Sequence, residues 1–165
     1  MKYKAFIGIG SNIGSSGENC IEAINLLHAP PEIEVVNKSS LYESEPVGIV
    51  GQSWFINAAV EIATTLKPEK LLKKLLKIEK MMGRERREKW GPRIIDLDLL
   101  IYEDHSCNSE FIKLPHPELP NRRFVLIPLS EFAGNHIHPV IGKTIQQLLQ
   151  ETPDTSQVRA KPTLL

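Results

Sequence analysis

Asp96-Leu97-Asp98 is where this sequence first points to chemistry. Side chains alternate along an extended strand, so both carboxylates face one way while Ile95, Leu97 and Leu99 face the other. Two strand rises put the aspartate Cα atoms about 6.5 Å apart. Carboxylates at that separation can converge on a pair of cations about 4 Å apart. Hard oxygen ligands favour magnesium, with substrate phosphates completing the coordination. Alone, the tripeptide is more simply two solvated aspartates on an open sheet face. Its upstream neighbours shift that balance, because Arg84, Arg86, Arg87, Lys89 and Arg93 place five cations within ten residues. Guanidinium forks grip phosphate oxygens in pairs and stay charged in any pocket. Carboxylates for metal beside arginines for phosphate suit phosphoryl transfer, where catalysis is positioning and charge neutralisation. The plainer alternative is that the arginines pair with the aspartates and the nearby glutamates.

Two further groups could bind a ligand. His116 stands between Pro115 and Pro117, which hold it in a rigid extended segment, and Arg122-Arg123-Phe124 follows closely. Such a histidine can hydrogen-bond a phosphate or a ribose; an ordinary loop histidine fits the fragment equally well. Phe55, Asn57 and Phe124 suggest a flat polar heterocycle, with rings to stack on it and an amide to pair with its edge. Taken singly, phenylalanines more often fill a core. Residues 10–17 form a turn-rich loop before a helix, but the terminal Gly-Lys-Ser/Thr of a P-loop and the spacing of a dinucleotide fingerprint are both missing. No phosphate is assigned to it.

These groups need elements to position them. Tyr3 to Ile9 reads as a strand, and Glu18 to Ala29 as a helix that Pro30-Pro31 stops. Ile33 to Tyr42 reads as a second strand, broken by Glu45-Pro46-Val47-Gly48. Trp54 to Thr64 alternates as a third, with Phe55, Asn57, Ala59 and Glu61 on one face and Trp54, Ile56, Ala58, Val60 and Ile62 on the other. From Pro68, the apolar residues Leu71, Leu75, Ile78 and Met82 recur at helical spacing until Gly83. Glu79 lies near that stripe and is expected to hold an arginine or a backbone N–H. Ile94 to Tyr102 reads as a fourth strand. Strand, helix, strand, strand, helix, strand is the α+β, ferredoxin-like βαββαβ order, an antiparallel sheet covered by helices on one face. A C-terminal extension follows, with helices expected around residues 125–132 and 144–150. The polar residues 152–165 are expected to form a loosely packed tail of a single domain spanning 1–165.

Composition excludes several classes. With 165 residues, 41% of them hydrophobic and 24% charged, the chain is neither collagen-like nor wholly disordered. No apolar run approaches the roughly 20 residues of a membrane span. Net charge is zero, yet residues 67–93 hold eleven basic and four acidic side chains. A local excess of that kind suits a small polyanion with its metal better than a nucleic acid. Cys20 and Cys107 have no metal-ligand spacing and read as reduced cytoplasmic thiols. The expectation is a cytoplasmic monomer acting on small molecules, with no nucleic-acid or membrane partner.

Lys89-Trp90-Gly91-Pro92-Arg93-Ile94-Ile95-Asp96-Leu97-Asp98-Leu99-Leu100 resembles the signature of the 6-hydroxymethyl-7,8-dihydropterin pyrophosphokinases, enzymes of folate biosynthesis. Gly10-Ser11-Asn12, residues 42–48, residues 55–60, Ile78-Glu79, Gly83-Arg84, Pro115-His116-Pro117 and Asn121-Arg122 agree in the same order, so the likeness covers residues 3–150. The resemblance implies that ATP gives its β,γ-pyrophosphoryl group to the hydroxymethyl oxygen of the reduced pterin while AMP leaves. It implies two magnesium ions held by Asp96 and Asp98, with Arg93 on the ATP phosphates and Arg84 acting in a closed state. Arg86, Leu99, His116 and Arg122 match nucleotide-contacting positions. Ser44 and Val47 match the pterin-lining loop, and Asn57 matches the reader of the pterin edge. Phe55 and Phe124 match the rings that sandwich the pterin, and Trp90 matches a tryptophan that closes over it. Residues 84–90 and 46–52 are expected to close on ATP.

Three positions depart from the family pattern. Phe55 stands where many members have tyrosine, Pro117 where some carry an aromatic residue, and Leu76 where some have a polar one. None touches the aspartate pair. Two other functions fit parts of the sequence: a ferredoxin-like RNA-binding module with exposed aromatic residues, and a nucleotidyl or glycosyl transferase using D-x-D for a metal diphosphate.

Overall fold

The alternation read in residues 55–62 is realised in the computed structural model, which describes residues 2–46, 51, 53–83 and 94–161. Val47, Arg84, Arg86, Trp90 and Arg93 lie outside the described residues, as does most of each segment expected to close on ATP. The elements run β1 (Tyr3–Ser11), α1 (Ser16–Leu27), β2 (Ile33–Lys38), β3 (Tyr42–Ser44), β4 (Phe55–Thr64), α2 (Pro68–Met81) and β5 (Asp96–Tyr102). The short strands β6 (Cys107–Asn108) and β7 (Lys113–Leu114) follow, then a 3-10 turn (Leu119–Asn121), α3 (Arg123–Ala133), α4 (Ile145–Glu151) and β8 (Val158–Ala160).

The main sheet is antiparallel in the order β5-β1-β4-β3-β8, with β2 beside β3 along the same edge of β4. Counting β2 and β3 as one broken strand, this is the ferredoxin-like order expected from the sequence.

Apolar spacing decides what each helix does. Cys20, Ala23, Ile24 and Leu27 turn α1 inward, and Leu71, Leu75 and Ile78 do the same for α2, leaving its lysines outside. Each leucine and isoleucine among them contributes about 2 kcal/mol by leaving water. With Ile56, Ala58, Val60 and Ile62 of β4 they form a first core. The sheet is not covered on one face only. Phe6, Ala59, Leu100 and Ile101 point the other way and meet Val125, Leu126 and Leu129 of α3 and Ile145 and Leu148 of α4. An apolar patch on the second sheet face demands that second layer. A capping box fixes the start of α4: Gln147 N–H donates to Thr144 Oγ1 at 3.1 Å, and Thr144 N–H donates to Gln147 Oε1 at 2.8 Å.

Two strands depart from the sequence reading. The expected strand 33–42 breaks between β2 and β3, where Ser39 Oγ accepts the Ala59 N–H at 2.9 Å in place of a backbone carbonyl. In β5 the partner of Phe6 is Ile101 and that of Ile7 is Leu99, so Leu100 is an extra residue in a bulge. The bulge sends both Leu100 and Ile101 into the second core and returns Tyr102 to the first.

Among the described residues no helix is long and apolar enough to cross a membrane. Cys20 is buried and burial pushes its thiol up to about 12, while Cys107 is exposed; both are free. Burial is also the first cause that lowers the pKa of His116, His136 and His138 below 6.5. Their unfolded counterparts protonate first as pH falls, so the native state holds this stability above about pH 6.5 and loses it below. Thermal denaturation should show the melting temperature falling between pH 6.5 and 5; a flat profile there would contradict this.

Candidate active site

The paired carboxylates sit at the start of β5, both half-buried and on one face. The ladder gives them their neighbours. Asp96 is opposite Gly10 of β1, Gly10 is opposite Asn57 of β4, and Asn57 is opposite Tyr42 of β3. Asp98 is opposite Gly8, which is opposite Ala59. Directly opposed residues in antiparallel strands share a face. The aspartates and Asn57 therefore look out of the same side of the sheet, two strand spacings or about 10 Å apart. That side is the one covered by α3 and α4 further along, where Phe6, Ala59 and Ile101 are buried.

Glycine at position 10 keeps the space between them open. A Cβ there would lie 3.1 Å from Asn57 Nδ2 and 3.7 Å from Phe55 Cδ1. The amide nitrogen and the Phe55 ring thus lean over a bare backbone. Asn57 is buried, and its Oδ1 accepts a short hydrogen bond from the Ser44 hydroxyl. That bond assigns the amide's orientation and turns its N–H donors over Gly10. Asn12 Nδ2 donates to the Ser53 carbonyl at 3.2 Å, holding the approach to β4.

Behind the carboxylates stands Glu79 of α2, 3% exposed. Its Oε2 accepts the Leu97 N–H at 2.7 Å, between the two aspartates in sequence. Glu79 therefore fixes the strand that carries them, one of the two roles its place in the apolar stripe suggested.

His116 approaches β5 from its outer edge. Its N–H donates to the Leu100 carbonyl at 2.8 Å, so the bulge is also its docking point. Its Nδ1 accepts the Glu118 N–H at 3.1 Å, which leaves Nε2 to carry the proton. Burial and the Arg122 charge lower its pKa, against smaller opposing pulls from Glu118 and Asp96. A neutral imidazole with one N–H donor results. The Arg122 guanidinium lies 5.7 Å from the centroid of the Phe124 ring. Phe124, in the first turn of α3, packs against the second core.

The face thus brings together Asp96, Asp98, Asn57, Ser44 and Phe55, with Phe124 on the helix above that face. His116 feels the charges of both Asp96 and Arg122. Leu99 differs: it is 5% exposed and its side chain packs in the first core, away from the carboxylates. Among the described residues, no cluster of three or more His, Cys, Asp or Glu side chains encloses a metal site. The β1 residues beside Asn57 on this face are glycines, and Phe6 beyond them is 1% exposed. The adjacent central aromatic residues needed by an RNA-binding sheet are therefore missing.

The family model described as 7,8-dihydro-6-hydroxymethylpterin-pyrophosphokinase (HPPK) matches residues 6–134. The chain belongs to this family. A 2-amino-4-hydroxy-6-hydroxymethyldihydropteridine pyrophosphokinase of Methylorubrum extorquens is 42% identical over 146 residues, covering 88% of this chain and 91% of that one. One of the same name from Aquifex aeolicus is 40% identical over 146 residues, covering 88% and 90%. Among solved structures, the HPPK-DHPS of Plasmodium falciparum with pteroate superposes with a TM-score of 0.74 at 17% identity. That likeness covers 92% of this chain and 42% of the longer one, and it shows the fold.

One link that supports the site was not foreseen in the sequence reading. Tyr42 donates to Glu131 of α3, which also accepts the Ser40 N–H at 3.1 Å. Burial and that carboxylate push Tyr42 up to about 12. Only the pairing of distant segments reveals this link, since 89 residues separate the partners.

Proposed function

We propose that Asp96 and Asp98 carry the metal side, and Ser44, Phe55, Asn57 and Phe124 the pterin side, of one reaction: transfer of the pyrophosphoryl group from ATP to 6-hydroxymethyl-7,8-dihydropterin. As a member of its family the chain is an ATP-dependent pyrophosphokinase, a transferase of folate biosynthesis. The observation that supports the assignment best is the cross-strand row Asp96, Gly10, Asn57. It sets a carboxylate pair and an oriented amide on one face, with an open glycine between them.

The donor set suits magnesium. Two carboxylates give hard oxygen ligands and leave room for phosphate oxygens and water to complete the shell. Asp96 and Asp98 would hold two such ions, which when bound neutralise phosphate charge and make the attacking hydroxyl easier to deprotonate. No separate protein base is assigned. Asn57 offers its amide N–H groups to acceptors on the pterin edge, and Ser44 keeps the amide turned that way. Phe55 stacks on the heterocycle without the hydroxyl that tyrosine would add.

On the nucleotide side, His116 donates from Nε2 while Arg122 adds charge. Leu99 is assigned there by the sequence match alone, its side chain belonging to the core. Arg84 and Arg93 are assigned as catalytic residues on the phosphates, with Arg86 beside them and Val47 and Trp90 lining the pterin. These five rest on the sequence match. In the same reading the protein works as a single-domain, cytoplasmic monomer.

Product analysis tests the whole. With ATP, magnesium and the hydroxymethyl pterin, chromatography should show AMP and a pterin diphosphate in equal amounts. ADP, or free pyrophosphate as the stoichiometric product, would point to another group transfer.

A further inference from the structure

The chain beyond α4 crosses from α3 to β3 and binds both. Asp154 Oδ2 accepts the Arg123 N–H at 2.8 Å, and the Arg123 guanidinium donates to the Ser156 carbonyl at 2.8 Å. Asp154 Oδ1 accepts from the Ser156 N–H at 2.9 Å and its hydroxyl at 2.6 Å, folding the segment into a tight turn. Arg123 lies between Arg122 and Phe124, so this turn grips the site's helical wall.

Three residues further on, the same segment grips the other wall. Gln157 N–H donates to Glu45 Oε1 at 2.7 Å, and Glu45 N–H donates to the Gln157 carbonyl at 3.1 Å. In β8, Val158 pairs with Ser44, Arg159 with Glu43 and Ala160 with Tyr42. Arg159 donates to Glu43 Oε2 at 3.0 Å from Nη2 and 3.2 Å from Nε. Its guanidinium also sits 4.5 Å over the Trp54 ring, one residue before Phe55. Lys161 N–H closes on the Leu41 carbonyl at 2.9 Å.

A three-residue strand held on one side only is a weak platform. β3 is that short, and it carries the Ser44 that orients Asn57. With β8 added, β3 has a neighbour on each side.

We propose that residues 154–160 form a clasp that fixes the spacing between the Phe124 wall and the Ser44–Phe55–Asn57 wall, with Asp154 and Arg159 as positioning residues for the pterin. The proposal rests on the pterin assignment above. Neither residue touches substrate; each acts through Arg123, or through Trp54 and β3. Among the described residues the clasp makes no bond to the Asp96–Asp98 end; its β8 half binds β3 and Trp54, so loosening Arg159 changes pterin binding and spares the nucleotide, whereas Asp154 holds Arg123 beside the nucleotide residue Arg122.

The test compares Asp154→Ala, Arg159→Ala, Arg159→Lys and Asn57→Ala by calorimetry. One titration uses magnesium with a non-hydrolysable ATP analogue alone; the other adds hydroxymethyl pterin. Each alanine variant in the clasp should weaken pterin about tenfold, as small displacements of a binding wall do. Analogue affinity should stay within about twofold in Arg159→Ala, since the sites are separate. Arg159→Lys keeps the charge over Trp54 and should recover most of the loss. Wild-type pterin affinity in both alanine variants, with Asn57→Ala impaired, overturns the clasp alone. Equal weakening of both ligands in Arg159→Ala also overturns it, because that marks general destabilisation. Intact pterin affinity in Asn57→Ala overturns the pterin assignment and the clasp with it.

Discussion

Asp98→Ala is expected to lower turnover about a thousandfold, roughly 4 kcal/mol of transition-state stabilisation, and to leave the fold standing. Asp98 is half-buried opposite Gly8 and belongs to neither apolar core. Its removal opens no cavity among packed side chains, so the melting temperature should move only slightly. Transition-state charge is a different matter. The transferred group spreads negative charge over several oxygens, and a site short of one metal ligand neutralises less of it. Asp98→Asn should lose nearly as much, because it keeps the shape and removes the charge. Steady-state rates at saturating magnesium and both substrates are the measurement. Turnover within a few-fold of the native enzyme would remove the carboxylate pair from the reaction.

Asn57→Ala should weaken pterin binding about a hundredfold and leave ATP binding close to native. Two polar groups lose a partner at once: the Ser44 hydroxyl, 2% exposed, and the acceptor edge of the pterin. Each buried group left unpaired costs about 1–3 kcal/mol. Only the second loss belongs to the complex; the first lowers the stability of the free protein by about 1–2 kcal/mol. Calorimetry with each ligand separates the two sites. Equal weakening of ATP and pterin would contradict the division of this face into a metal end and an amide end.

Some of this was legible in the residues and some was not. The direction of Asp96, Asp98 and Asn57 follows from alternation alone, because regular strands repeat every two residues. The inward face of α2 follows likewise from Leu71, Leu75 and Ile78, and the place of Glu79 in that stripe foretold a buried partner. Periodicity failed where a side chain imitates the backbone. Ser39 supplies its hydroxyl to the ladder and splits one expected strand into β2 and β3. It failed again at Leu100, where α3 and α4 reward an extra inward residue. The helices of the second layer were expected near residues 125–132 and 144–150, as α3 and α4 bear out; what periodicity left open was that they cover the other face of the sheet. β8, Val158-Arg159-Ala160, is too short for its alternation to mark a strand; it is extended because β3 offers an edge. Nucleotide and pterin roles came from the likeness to a family, since no spacing rule names a heterocycle.

The extra residue in β5 separates the two ends of that strand. Upstream of Leu100 the odd-numbered residues face α1 and α2; downstream Tyr102 does so instead. Sequence drift around Ile101 and Tyr102 can therefore remodel the packed end without rotating the acids at the other. A deletion of Leu100 would undo that independence, locking the phase of both ends together. Mutational tolerance along β5 should accordingly fall into two uncorrelated blocks with their seam at Leu100, and lineages can tune thermal robustness at one block while the chemistry of the other stands still.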